Sequence, residues 1–143
     1  MAFCASDPVS KIMSTDLITI SPNQTIEEVD RIFNEHSINH LPVVNENMNI
    51  LGMVSKSDVY KVSYGLSVFH NKHKKEYNES LFRSLLVSDI MTEKVASLSA
   101  DKSIGVSIGI FKENLFRALP ITEDGKVIGI VTPMDIISKC VEN

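Results

Sequence analysis

The sequence of 143 residues has no tryptophan, only two cysteines and no surplus of positive charge. Its formal net charge is −4, which excludes the strongly basic balance typical of nucleic-acid-binding proteins. No apolar run approaches the ~20 residues that a membrane-spanning helix needs, and the N-terminus lacks a signal-peptide pattern. Cys4 and Cys140 show no metal-type spacing, so we predict free thiols in a reducing, cytoplasmic compartment, with a disulfide between them as the alternative.

Residue sets typical of enzymes are also missing. We find no Ser/His/Asp set, no Cys–His pair in a sequence context that suggests catalysis, no glycine-rich phosphate loop and no pair of carboxylates on one helix or strand. His70 and His73 could share a helix face and bind a metal, but we favour a solvated linker because no Cys or second pair accompanies them. The sequence therefore predicts a protein that is not an enzyme and that requires no metal or cofactor.

What the sequence does contain is an internal repeat. The segment 52–58 (GMVSKSD) returns as 129–135 (GIVTPMD), and 9–13 (VSKIM) returns as 87–91 (VSDIM). The shift between the copies is 78 positions at first, and it becomes 77 after one residue is lost in a turn. Such a period indicates a duplicated structural unit.

Each repeat is predicted to be β-α-β-β-α, an α+β arrangement. In the first repeat we expect strands at 17–20, 41–44 and 50–54, a helix from a Thr25/Glu28 capping box to about Ser37, and a helix after Ser55. In the second we expect strands at 95–98, 116–121 and 127–131, and helices at 101–114 and from Pro133 onwards. Roughly fifty residues are marginal for a separate core. The repeats, 9–64 and 84–141 around a linker 65–83, should therefore pack together as an intramolecular pseudo-dimer.

Both copies of the glycine-containing segment end in a hydroxyl residue followed three positions later by Asp. Ser55 and Thr132 stand where a helix N-cap belongs, and Asp58 and Asp135 fall in the first helical turn, where a negative charge suits the helix dipole. A hydroxyl, N–H donors and a carboxylate would then share a small volume. A plain helix cap explains one copy as well as a binding site does, but the duplication favours a pair of sites.

With the repeat, the Leu-Pro strands and these endings taken together, the chain resembles a tandem pair of CBS domains, called a Bateman module. The resemblance covers about 9–64 and 84–141. It implies two clefts between the repeats that commonly bind adenine nucleotides, a regulatory rather than catalytic role, and frequent association of two modules.

The resemblance also implies the residues of each cleft. One cleft would combine Ser55, Ser57 and Asp58 with Ser88, Phe116 and Arg117. The other would combine Thr132, Met134 and Asp135 with Ser10, Ile38, Asn39 and His40. The Asp residues would take ribose hydroxyls, and Arg117, with a permanent charge, would make its cleft the better phosphate site. Ala118 and Asn39 stand where better-known members often carry basic residues, which argues against strong di- or triphosphate binding.

We therefore expect a regulatory module that senses AMP, ADP or ATP and modulates an unknown partner protein, with no nucleic-acid or membrane partner. The alternatives are a structural or dimerisation module with empty clefts, or a sensor of S-adenosylmethionine or a dinucleotide. A homodimer is expected, because apolar helix stripes exceed what small sheets can cover. Gly105 and Gly109, four apart in a predicted helix, would permit close approach of another helix, although neutral drift explains them equally well.

Overall fold

The computed structural model describes residues 4–66 and 74–140. In chain order the helices and strands are α1 (Ile26–Glu35), β1 (His40–Val44), β2 (Ile50–Ser55), α2 (Lys56–Leu66), α3 (Lys74–Ser84), α4 (Val87–Ile90), β3 (Leu98–Ser99), α5 (Ile104–Lys112), β4 (Leu119–Glu123), β5 (Lys126–Val131) and α6 (Pro133–Cys140). Two 3₁₀ turns, Cys4–Ser6 and Val9–Lys11, precede α1. The α+β prediction is confirmed, and His70 and His73 lie outside the described residues.

The chain divides into two compact units. Unit 1 consists of Met1–Ile18, Glu46–Ile50 and Lys94–Asn143, and unit 2 consists of Thr19–Asn45 and Leu51–Glu93. Each sequence repeat therefore contributes its leading segment to the unit that is built mainly from the other repeat.

Unit 1 contains the three-stranded sheet β3-β4-β5. β3 is parallel to β4, whereas β4 and β5 form an antiparallel hairpin. Asp124 and Gly125 join the hairpin with φ of 53° and 79°, and Asp-Gly is a favoured sequence for a two-residue turn with two positive φ angles. The buried core of this unit is Val9, Ile12, Leu98, Ile104, Leu119, Ile121 and Val131.

Unit 2 contains the sheet β1-β2 and the mutually packed helices α1, α2 and α3. The predicted strand at 17–20 is wrong in extent. Only Ile20 pairs with β1, donating to the Pro42 carbonyl at 3.0 Å and accepting from Val44 N–H at 2.9 Å. A turn that begins at Ser21 redirects the chain after this one paired residue. The predicted strand at 95–98 is likewise reduced, since β3 has two residues.

Thr25 caps α1 as predicted, because its Oγ1 accepts the N–H of Glu28 at 3.3 Å. The other half of the expected capping box is not formed with Thr25. Instead, Oε2 of Glu28 accepts a hydrogen bond from Nε2 of Gln24 at 3.2 Å. The predicted apolar stripe of α1 is confirmed, since Ile26, Val29 and Phe33 are its buried residues.

Cys4 and Cys140 form a disulfide, with their Cα atoms 5.8 Å apart. The prediction of free thiols is therefore wrong. The two cysteines are 136 positions apart in sequence, but the N-terminal segment and α6 belong to the same unit. The cytoplasmic location stays a prediction and loses the support that it took from free thiols.

The glycines of α5 differ from each other in their surroundings. A Cβ added at Gly105 would lie 3.1 Å from the carbonyl oxygen of Ala5, whereas one at Gly109 would meet nothing within 4 Å. The backbone that approaches α5 at Gly105 is therefore the first 3₁₀ turn of the same chain. Within the ranges 4–66 and 74–140, no helix is both long and apolar enough to cross a membrane.

Candidate functional site

The first copy of the motif forms a helix cap in unit 2. β2 passes directly into α2 at Ser55, whose N–H donates to Oδ2 of Asp58 at 2.8 Å. In return, the N–H of Asp58 donates to Oγ of Ser55 at 3.1 Å. The hydroxyl of Ser57 lies 2.9 Å from that of Ser55, within hydrogen-bonding distance. This cap therefore brings together the two hydroxyls and the carboxylate that the sequence predicts.

The second copy forms the corresponding cap in unit 1, where β5 leads to α6. The N–H of Thr132 donates to Oδ2 of Asp135 at 2.8 Å, and its hydroxyl donates to the same oxygen at 3.1 Å. The N–H of Asp135 donates back to Oγ1 of Thr132 at 3.3 Å. Such reciprocal bonds satisfy donors at the helix N-terminus and fix the orientation of the carboxylate.

Both carboxylates keep hydrogen-bonding capacity beyond the cap. The bonds that they accept all go to Oδ2, and within the described part of the chain Oδ1 of Asp58 and Oδ1 of Asp135 accept none. An ionised carboxylate offers about four lone-pair positions. Each Asp is half-buried, so it presents a held, negatively charged acceptor that is suited to a ligand with neighbouring hydroxyl groups.

The helix N-termini offer fewer N–H donors than the sequence suggests. The N–H of Lys56, the first residue of α2, donates to the carbonyl of Asn39 at 2.8 Å. The first residue of α6 is Pro133, which has no N–H. In both caps the first N–H of the helix is therefore unavailable to an anion. The Asp carboxylate is the main group of each cap that can bind a ligand.

The glycine of the motif has a role that the sequence analysis missed. In unit 2, Met53 and Thr92 exchange two backbone hydrogen bonds of 3.0 and 2.9 Å, which bring the segment before Lys94 against β2. A Cβ at Gly52 would lie 2.8 Å from the Thr92 carbonyl oxygen and 2.9 Å from Sδ of Met91. Glycine is required there because the backbone of the neighbouring segment occupies the space of a side chain.

Unit 1 repeats this arrangement with equivalent residues. Ser14 and Ile130 exchange backbone hydrogen bonds of 2.9 and 3.2 Å. A Cβ at Gly129 would lie 2.6 Å from Sδ of Met13 and 3.1 Å from the Ser14 carbonyl oxygen. The signal for this contact was in the repeat itself, since Met13 matches Met91 at the same shift of 78 positions.

The leading segments carry the two serines assigned to the clefts. Ser88 belongs to unit 2, as do Ser55 and Asp58, and its N–H donates to the Pro22 carbonyl at 3.0 Å. Ser10 belongs to unit 1, as do Thr132 and Asp135, and its N–H donates to the carbonyl oxygen of Ala100 at 3.3 Å. Both serines are exposed. Each predicted partnership of a serine with a cap therefore falls within one unit.

The residues around the Leu-Pro strands belong to the unit that holds the cap of their own repeat. Ile38, Asn39 and His40 are in unit 2, and Phe116 and Arg117 are in unit 1. Their combination with the cap of the other repeat stays a prediction. Arg117 is exposed and forms no ion pair with any residue that the structure describes, so its charge is available to a ligand.

Met134 is the remaining predicted site residue. It follows Pro133 in the first turn of α6 and is 64% exposed, so it offers apolar surface next to the Thr132–Asp135 cap. Among the described residues, no group of three or more His, Cys, Asp or Glu side chains could hold a metal ion.

Comparison with known families identifies this architecture. The family model of the CBS domain matches residues 9–65 and 87–142, which include both caps. The chain belongs to the CBS domain family. Because the two matches cover the two repeats, it is a tandem CBS pair, and the resemblance seen in the sequence is confirmed.

Two curated proteins show the range of relatives. An uncharacterised protein of Methanopyrus kandleri is 31% identical over 131 residues, which are 90% of this chain and 60% of that protein. An inosine-5′-monophosphate dehydrogenase of Korarchaeum cryptofilum is 31% identical over 122 residues, 85% of this chain and 22% of the enzyme. The CBS pair therefore spans three fifths or less of these relatives, and the likeness to the dehydrogenase concerns a minor part of that enzyme.

Among solved structures, CBSX2 of Arabidopsis thaliana in complex with AMP has a TM-score of 0.76 to this chain. The match covers 92% of this chain and 94% of CBSX2, at 22% sequence identity. At this level of identity the comparison establishes a shared fold.

Proposed function

We propose that this CBS pair binds an adenosine-containing nucleotide, with AMP as the simplest ligand, and regulates a partner protein through it. The observation that carries the proposal is the duplicated cap. In both units a 2.8 Å bond from the N-cap N–H fixes Oδ2 of an Asp, while Oδ1 accepts no bond from the residues that the structure describes. CBSX2, which shares the fold, was solved with AMP, and this supports the choice of ligand.

Ribose recognition follows from the chemistry of these carboxylates. The 2′- and 3′-hydroxyls of ribose are neighbouring donors. Asp58 can accept both through Oδ1 and the remaining capacity of Oδ2, whereas Asp135, whose Oδ2 already accepts two bonds from Thr132, can accept both at Oδ1. Hydrogen bonds to an ionised acceptor are worth about 1.5–3 kcal/mol each. Removing the 2′-hydroxyl should therefore weaken binding about tenfold or more, so AMP should bind more tightly than 2′-deoxy-AMP.

The phosphate preference follows from the few charges available. Arg117 supplies a permanent positive charge with five N–H donors, and no ion pair with a described residue occupies it. Ala118 and Asn39 add no positive charge at the neighbouring predicted positions. One phosphate is therefore better matched than three, and we expect AMP to bind more tightly than ATP.

Thermal unfolding in the presence of AMP, ADP, ATP, 2′-deoxy-AMP and S-adenosylmethionine tests the proposal. A ligand that binds only the native state adds about 2.7 kcal/mol at 100 times its Kd, which gives a clear rise in Tm. A response to S-adenosylmethionine alone would support the alternative ligand class. No stabilisation by any of the five compounds would contradict the proposal.

Asp58→Asn and Asp135→Asn are suitable matched variants. The amide oxygen of Asn still accepts the N–H of Ser55 or Thr132, so the helix cap is kept while the charged acceptor for ribose is lost. Loss of ligand response with only a small fall in the ligand-free Tm, from the lost interaction between the charge and the helix dipole, separates binding from capping. If Asp58→Asn and Asp135→Asn lower the ligand-free Tm as much as Asp58→Ala and Asp135→Ala do, the carboxylate acts as a cap.

A second candidate function is that of a dimerisation module. Tyr60 of α2 and Ile137 of α6 occupy equivalent positions in the two repeats, and each is 58% exposed. Large apolar side chains exposed at matching positions favour burial against a second chain. We propose a homodimer that uses these helix faces, whether or not nucleotide is bound. The regulated partner stays a prediction.

A further inference from the structure

The disulfide joins two distant parts of the chain within one unit. Cys4 begins the first 3₁₀ turn, Cys140 ends α6, and 136 positions separate them, including the whole of unit 2. Both cysteines are half-buried and pack against the core of unit 1. Part of the surface of each cysteine residue is therefore exposed to solvent.

Without the disulfide, the N-terminal segment (residues 4–14) is attached to unit 1 by non-covalent contacts alone. Val9 and Ile12 are buried in the core, and the N–H of Val9 donates to the backbone carbonyl oxygen of Lys102 at 2.8 Å. The N–H of Ile104 donates to the Asp7 carbonyl, also at 2.8 Å. These contacts can position the segment after reduction, but they can also open and close as a group, which a covalent bond at Cys4 prevents.

α6 packs against the core of unit 1 through Ile136 and has two further attachments at its C-terminal end. It has eight residues and none of them is buried, and so short a helix is marginal by itself in water. Two adjacent residues hold that end to the N-terminal segment: Nζ of Lys139 donates to the Ile12 carbonyl at 2.8 Å, and Cys140 forms the disulfide. The opposite end of the same helix carries the Thr132–Asp135 cap.

We propose that the Cys4–Cys140 disulfide is a redox-sensitive lock that holds α6 and the N-terminal segment together in unit 1. A dithiol reductant opens it. One thiolate of the reductant attacks a disulfide sulfur, and the second thiol of the reductant resolves the mixed disulfide. Cys4 and Cys140 take up two electrons and two protons and become thiols, while the reductant becomes its own disulfide. After reduction, α6 and the segment 4–14 open more often.

The lock has a consequence for ligand binding that rests on the proposed function. Met13 and Ser14 contact β5 at Gly129 and Ile130, directly before the Thr132–Asp135 cap. Opening of the N-terminal segment removes this support. AMP bound with Asp135 should therefore dissociate more readily from the reduced protein, whereas AMP bound with Asp58 should be less affected because Asp58 belongs to unit 2.

Amide hydrogen exchange on the full chain, with and without dithiothreitol, tests the lock. Reduction should lower Tm by roughly 10 °C and should speed exchange in α6 and in residues 4–14 more than in α1. The Cys4→Ser/Cys140→Ser variant should match the reduced protein and should not respond to dithiothreitol. Unchanged exchange and Tm on reduction, or two titratable thiols in protein kept under oxidising conditions, would overturn the proposal.

AMP affinity measured in the Asp58→Asn variant adds a separate test. Only the Asp135 site remains there, and reduction should weaken it several-fold. Exchange that changes with redox state while AMP binds under neither condition would leave the lock standing and refute nucleotide binding. AMP binding that is equal in oxidised and reduced protein, together with unchanged exchange in α6, would refute the lock and leave the proposed function standing.

Discussion

Gly52→Ala tests the close approach of two chain segments beneath the first cap. The new Cβ would lie 2.8 Å from the carbonyl oxygen of Thr92, well inside the roughly 3.5 Å of an ordinary contact. A backbone atom cannot rotate away as a side chain can. The segment that carries Thr92 must therefore move away from β2, which breaks or stretches its two hydrogen bonds with Met53, of 3.0 and 2.9 Å.

The loss of stability in Gly52→Ala can be estimated from these two hydrogen bonds. Each contributes about 1 kcal/mol to stability. Replacing glycine also lowers the conformational entropy of the unfolded chain, which stabilises the folded protein by up to about 1 kcal/mol. We therefore expect Gly52→Ala to lower the free energy of unfolding by about 1–2 kcal/mol. Gly129→Ala should cost less, because its nearest contacts are side-chain atoms of Met13, which can rotate, and its nearest backbone oxygen is at 3.1 Å.

Urea denaturation followed by circular dichroism measures these differences as shifts in the midpoint at constant slope. Gly109→Ala is the matched control, since a Cβ there meets nothing within 4 Å and alanine favours a helix by up to about 1 kcal/mol. The expected order of stability is Gly109→Ala, parent, Gly129→Ala, Gly52→Ala. A Gly52→Ala protein as stable as the parent would refute the argument from close approach.

Three further predictions concern ligand, assembly and α5. Arg117→Ala should weaken AMP binding about tenfold or more in a calorimetric titration, because a charged hydrogen bond is lost. If His40→Ala weakens binding more than Arg117→Ala does, the cleft that contains Arg117 is not the better phosphate site. Light scattering at micromolar concentration should give a dimer mass for the parent and a monomer mass after Tyr60→Glu with Ile137→Glu, whereas a monomeric parent would contradict the proposed homodimer. Gly105→Leu should speed hydrogen exchange in the first 3₁₀ turn without changing the mass; conversion of a dimer to a monomer by this change would show that α5 faces a second chain there.

The features that depend on neighbouring residues could be predicted from the sequence. The Thr25 cap and the two Asp caps each need a few residues in the correct order, and those residues are visible in the sequence. The repeat added the second copy of each motif. For this reason, both the α+β class and the resemblance to the CBS family could be inferred from the sequence alone.

Features that depend on distant pairing could not be predicted. Cys4 and Cys140 form a disulfide because the N-terminal segment belongs to unit 1. No short sequence pattern indicates which unit this segment joins. The predicted strand at 17–20 has suitable residues, but only Ile20 reaches β1, because strand length depends on the partner as well as on propensity. The role of Gly52 depends on Thr92, which no short-range signal connects to it.

The central claim is that the two capped Asp residues bind an adenosine nucleotide. Isothermal titration of AMP into the parent protein and into the Asp58→Asn/Asp135→Asn variant tests it most directly. The account predicts saturable heat for the parent and at least tenfold weaker binding for the variant. The ligand-free Tm of the variant should fall by only a few degrees, because Asn keeps the cap bond and loses the charge that suits the helix dipole. A variant that binds AMP as tightly as the parent, or a parent that gives no binding heat and no stabilisation with AMP, would contradict the claim.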